Sequence, residues 1–131
     1  MQRFVLLMAE EEMNWFKQAE RDIKSAENSL ISRDYYVASF LCEQAIEKAL
    51  KALYLKKKGI IKKVHNLVIL AKDLGLPVEL IDICDAVNPV YMDTRYPDAR
   101  GGLPYEHYTE KTSAMDISNA RTILQWIKEK L

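Results

Sequence analysis

From Tyr35 to Leu55 the chain runs without a Gly or Pro. The stretch is rich in Ala, Leu, Glu, Lys and Gln, which lose least on entering a helix. Apolar residues recur at helical spacing: Val37, Phe40 or Leu41, Ala45, Ala49 and Ala52, with Ile46, Leu50 and Leu53 beside them. So wide a stripe predicts a helix inside a bundle rather than on its edge. The small residues Ala38, Ser39, Cys42, Ala45, Ala49 and Ala52 would let neighbouring helices come close. Glu43, Gln44, Glu47, Lys48 and Lys51 take the positions that apolar packing leaves over. Glu47 and Lys51 form a favourable pair one turn apart, whereas Glu43 and Glu47 repel.

The remaining segments arrange themselves around this helix. From about Glu10 to Ile31 the pattern is helical again, with Trp15, Ala19, Asp22 or Ile23, Ala26 and Leu30 on one face. Ser32-Arg33-Asp34 is a short break, and Asp34 is expected to cap the helix that follows. So short a link makes the two helices antiparallel neighbours. The apolar run Met1–Ala9 is cut off by Glu10-Glu11-Glu12, which rejects a signal peptide. That run either extends the first helix or forms an arm on another subunit.

Gly59 is the expected stop of the long helix, with Lys56, Lys57 and Lys58 suiting its last turn. His65–Gly75 reads as a short third helix that His65 or Asn66 caps. Pro77 opens a fourth, which Asn88-Pro89 ends or kinks. Thr109, with Thr112 three residues on, begins a last helix running to the end of the sequence. The expectation is one all-α domain over residues 1–131, an up-and-down bundle of four or five helices.

Nineteen Lys and Arg balance nineteen Asp and Glu. A global positive field for nucleic acid is therefore absent, and such binding would need a local patch. Cys42 and Cys84 carry no zinc or disulfide spacing and lie on apolar faces, so they read as buried free thiols in a reducing, cytoplasmic setting. No stretch nears the roughly 20 apolar residues of a membrane span, so no membrane partner is expected. With His65 and His107 as the whole histidine complement, neither a metal site nor a cofactor is expected. Phosphate loops and nucleophile elbows are absent.

Two stretches carry candidate chemistry. Lys56, Lys57, Lys58, Lys62 and Lys63 fall within eight residues. They form either a solvated helix end or a phosphate-contact patch. Residues 91–108 hold two prolines, two adjacent glycines, four tyrosines, two arginines and a histidine, and are expected to form an irregular binding loop. Arginine grips phosphate bidentately, and a histidine moves a proton to or from a ribose hydroxyl. Arg95, Arg100 and His107 are thus the candidates, with Tyr96, Tyr105 and Tyr108 to stack on bases. The competing reading has Arg95 pinning the loop and His107 bonding backbone.

The run Glu43-Gln44-Ala45-Ile46-Glu47-Lys48-Ala49, Trp15 with Ala19, His65-Asn66-Leu67, and Arg95-Tyr96-Pro97-Asp98 resemble, in order and spacing, the HEPN family of higher eukaryotes and prokaryotes. The similarity spans about Met13 to Leu131. It implies a helical bundle that commonly forms a homodimer. It also implies a nucleotide or RNA ligand and a small nucleotidyltransferase partner, often in a toxin–antitoxin pair. Some members are metal-independent RNases built on an arginine and a histidine with four to six residues between them, a spacing that Arg100 and His107 meet. Two departures stand out. Gly101-Gly102 follow the arginine, and the position of the tyrosine modified in some members holds Thr109, with Tyr108 one residue early. The leading expectation is therefore phosphate binding by Arg95, Arg100, His107 and the lysines. The alternatives are RNA cleavage by Arg100 and His107, or a non-catalytic interaction module.

Overall fold

The computed structural model describes residues 2–99 and 101–131, apart from the side chains of residues 4, 5 and 8. Seven helical segments are seen among them: α1 (Gln2–Ile31), α2 (Tyr35–Lys58), α3 (Leu67–Asp73), α4 (Val78–Val87), α5 (Val90–Asp93), α6 (Pro104–His107) and α7 (Glu110–Lys128). No strand is present among the described residues. The three long helices pack on one another, and the four short ones fill the return path between α2 and α7.

The Met1–Ala9 alternatives resolve toward helix: the described part extends α1 back to Gln2, well before Glu10. Leu6 and Leu7 stand exposed on that extension. The α1–α2 turn closes by a Schellman pair, Asp34 N–H to Ser29 O at 2.9 Å and Arg33 N–H to Leu30 O at 3.1 Å. That motif needs a left-handed residue, and Arg33 supplies it at φ +69°. Asp34 occupies the N-cap position of α2 but makes no side-chain cap, contrary to expectation, because its backbone (φ −90°, ψ 71°) is not in the extended region that capping residues usually take. Gly59, left-handed at φ +73°, ends α2 with its N–H on Leu55 O.

Asn66, not His65, caps α3: its side chain accepts from the N–H groups of Val68 and Ile69. Thr109 and Thr112 form a reciprocal capping box at the start of α7. Arg121 pairs with Glu27 and Lys128 reaches toward Glu20, so α7 runs antiparallel to α1. At its other end, Ser113 hydrogen-bonds Ser39 at 2.9 Å near the start of α2. The helices α2 and α7 are therefore parallel.

The core is Phe16, Ile46, Leu50, Leu53, Leu67, Leu70, Ile123 and Ile127, all fully buried. Between them lie Ala19, Ala26, Ala38, Ala45, Ala49 and Ala52, also at zero exposure. Small side chains bring the backbones together, which is how three long helices close around so few large residues. Cys42 and Cys84 are buried free thiols, as expected. Among the described residues no helix is long and apolar enough to cross a membrane.

Candidate functional site: a charged row on α2 under α5

Phe40, Glu43, Glu47 and Lys51 follow one another at helical spacing along one side of α2. A solvated row would be the simplest use of three charged residues. Instead Glu43, Glu47 and Lys51 are all buried, Glu43 completely. Polar leftovers on a long helix are expected to face water, so these three depart from the sequence-based reading. The chain beyond α4 folds back onto this face: α5 and α6 both pack against α2.

The cover is anchored by Val90, which is buried, and by Thr94, whose hydroxyl donates to Val90 O at 2.7 Å. Tyr91 and Arg95 are one turn apart and come out side by side. The Arg95 guanidinium carbon lies 4.3 Å from the centre of the Tyr91 ring and 5.1 Å from that of Phe40. His65 stacks on Tyr91 with ring centres 4.7 Å apart and planes 20° off parallel. The Asn88 side-chain oxygen accepts from Leu67 N–H at 2.9 Å. This bond ties the start of α3 to the end of α4 and so brings His65 to Tyr91.

Beneath the rings lie the carboxylates. Glu47 Oε1 is 2.7 Å from His65 Nδ1, and Glu47 Oε2 accepts from Lys51 Nζ at 3.4 Å. Lys51 also sits 5.8 Å from the Trp15 ring. Glu43 Oε2 accepts from the Gln44 amide at 2.8 Å. Its other oxygen, Oε1, is buried with no partner among the described residues. Burial pushes the Glu43 carboxyl up to about 7, against the opposing Gln44 hydrogen bond. The charge of Glu47 adds to the rise, while Arg95 and Lys48 oppose it. Arg95 itself is exposed and makes no hydrogen bond or ion pair among the described residues. The two aromatic rings hold the guanidinium in place by cation–π contact and leave its N–H groups unused.

The other sequence candidates fall elsewhere. Arg100 lies outside the described residues. The His107 Nε2 is 2.7 Å from Gly101 O, a backbone bond, and among the described residues no hydrogen bond joins His107 to Arg95. A Cβ on Gly102 would come within 3.1 Å of that same nitrogen, so the turn at residues 101–102 is fitted to the ring. Tyr96 and Tyr105 are 46% and 62% exposed. Tyr108 is buried in the core cluster, so its ring offers no open face to a base. Lys57 donates to Leu74 O at 3.3 Å, and Lys62 pairs with Asp73 and lies over the Tyr54 ring. Lys56, Lys58 and Lys63 remain exposed. The lysine cluster thus partly stitches the α2–α3 junction. Grooves of about 360 Å³ along Phe16 and Leu124, and about 580 Å³ along Leu80 and Trp126, share no residue with the α2 row.

Sequence reasoning missed His65, Glu47 and Tyr91 as one assembly. The available signal was the row itself: three charged residues at helical spacing on the helix with the widest apolar stripe.

The fold and this cluster define an all-α bundle that holds an aromatic-framed arginine over a buried charged row. The HEPN domain model matches residues 13–131, and the chain belongs to the HEPN family. A crystal structure of TT1696 from Thermus thermophilus is similar, with TM-score 0.87 and 34% identity over 92% of this chain and 98% of that one. A crystal structure of ST0689, an archaeal HEPN homologue, is similar with TM-score 0.79 and 36% identity over 91% of this chain and 96% of that one. No curated protein matches the chain.

Proposed function

We propose that this HEPN protein binds the phosphate of a nucleotide or RNA at Arg95, acts as a homodimer, and works in the cytoplasm beside a small nucleotidyltransferase, as in a toxin–antitoxin pair. One observation carries the binding reading. The Arg95 guanidinium is exposed, lies over both the Tyr91 and the Phe40 rings, and uses none of its donors on described protein groups. A planar fork fixed in place and left unpaired is what bidentate phosphate recognition requires. Exposed Tyr96, next to Arg95 in the chain, offers a ring for a base. Membership of the family supports the dimer and the partner enzyme.

The test is nucleotide titration of wild type and Arg95→Ala by calorimetry at low and high salt. Binding that weakens with salt and is lost in Arg95→Ala is the expected result. Binding that survives the substitution, or no binding at all, removes Arg95 from the proposal. RNA incubated with the protein in EDTA, with Arg100→Ala and His107→Ala beside it, separates cleavage from binding. Cleavage abolished in both variants would replace the binding reading with the nuclease one.

A further inference from the structure

The phosphate reading leaves one arrangement unexplained. His65 is half exposed, yet one edge of its ring is fixed to a buried acid. Glu47 is held by Lys51 on its far oxygen and by His65 Nδ1 on the near one, so the carboxylate is pinned from both sides. A carboxylate only accepts, so Nδ1 carries the proton of the shared hydrogen bond. In the neutral ring the lone pair then sits on Nε2, at the edge away from Glu47. Stacking on Tyr91 fixes the plane of the ring as well. Tautomer and orientation of a surface histidine are thus both set, which a purely structural surface residue does not need.

Arg95 lies against the same Tyr91 ring. The guanidinium and the imidazole are therefore no further apart than their two distances to that ring combined. One end of the site offers cationic N–H donors, and the other a directed acceptor. A phosphorylated ribose has the complementary groups at comparable separation: anionic oxygens at one end and hydroxyl donors on the sugar.

Resting on the phosphate reading for Arg95, we infer that His65, positioned by Glu47, accepts a hydrogen bond from the ribose 2′-hydroxyl of the bound ligand, so that the site selects ribonucleotides over 2′-deoxyribonucleotides. The ligand class is a phosphorylated ribose, from a free nucleotide or from an RNA chain. His65 is a binding residue in this account, and Glu47 is the residue that positions it.

The experiment measures affinities of the full chain for the four ribonucleoside triphosphates, each beside its 2′-deoxy counterpart. A short oligouridylate and its deoxy counterpart form a second arm that separates RNA from free nucleotide. The wild type is expected to favour the ribo form by about three- to tenfold, the value of one net hydrogen bond. His65→Phe keeps the stack on Tyr91 and removes the acceptor. It is expected to bring ribo affinity down to deoxy affinity while leaving deoxy affinity unchanged. Glu47→Gln is expected to reduce the preference and to redistribute the imidazole tautomers, read from the ¹⁵N shifts of His65. Arg95-dependent binding without ribose preference overturns this inference and leaves the phosphate reading standing. So does an equal loss of ribo and deoxy binding in His65→Phe. Failure of every ligand to bind, or binding indifferent to Arg95→Ala, overturns both.

Discussion

Glu43→Gln should change the way stability depends on pH, and its magnitude follows from where the carboxyl sits. Glu43 is fully buried, one of its oxygens has no partner among the described residues, and burial raises it from 4.5 to about 7. The folded state therefore holds the proton more tightly than the unfolded chain. A raised acid contributes stability that is fully present below pH 4.5 and is lost as pH rises through about 7. At 1.36 kcal/mol per pH unit the loss across that window is about 3 kcal/mol. Glutamine keeps the size and the acceptor facing Gln44 but cannot ionise. It also adds a buried amide, whose cost of roughly 1–3 kcal/mol is independent of pH. Urea unfolding of both proteins at pH 5, 6, 7 and 8 isolates the pH-dependent part. The stability of Glu43→Gln relative to wild type should improve with each step to pH 7 and level off near pH 8. Arg95→Met should steepen the wild-type fall, because the Arg95 charge opposes the rise at Glu43. A difference between wild type and Glu43→Gln that stays flat from pH 5 to 8 would refute the reasoning.

Three further outcomes follow from the fold. Arg33→Gly removes a left-handed Cβ from the Schellman turn and should stabilise the protein by up to about 1 kcal/mol in thermal unfolding, part of the relief being offset by backbone entropy. Thr109→Ala removes the capping-box arm in which the Thr109 hydroxyl accepts from Thr112 N–H, leaves the backbone N–H of residue 109 on the Thr112 hydroxyl, and should cost about 1 kcal/mol in the same assay. Cys42 and Cys84 should resist a thiol-disulfide reagent at pH 8 in the native protein and react on unfolding, since burial pushes both thiols up, Cys84 to about 12. Rapid native modification of either would show that the core opens at that point.

The extent of the helices was legible because the signals are local. Gly59 and the Thr109–Thr112 box mark ends that only a few neighbouring residues decide. The small-residue set on α2 was likewise legible, because an alanine at zero exposure needs no information beyond its own helix face. Arg33 shows the opposite case. A left-handed turn position usually holds Gly, and the sequence offers none between Ile31 and Tyr35. The His65 assembly was illegible for a further reason. His65 and Glu47 are eighteen residues apart, and His65 and Tyr91 are farther still. Nothing in the spacing of any one segment says that α5 will fold over the polar side of α2.

That covered row bears on function. Burying Glu43, Glu47 and Lys51 costs desolvation that apolar residues of similar size would avoid. The three lie together, under the same cover, in contact or electrostatic range of the His65–Tyr91–Arg95 stack. Had packing alone shaped α2, the side facing α5 would carry the same Ala and Leu that face α1 and α7. Glu47 is best accounted for by what it does to His65, and Glu43 by the titratable carboxyl it sets in electrostatic range of Arg95. The neutral balance of the chain fits this view, because one fixed guanidinium in an aromatic frame needs no global positive field. Removing the row whole, by Glu43→Leu, Glu47→Leu and Lys51→Met so that no buried cation is left unpaired, should therefore raise stability at pH 8 and abolish the ribose preference while Arg95-dependent phosphate binding persists. A triply substituted protein that gained stability and kept the ribose preference would show that the row serves the fold alone.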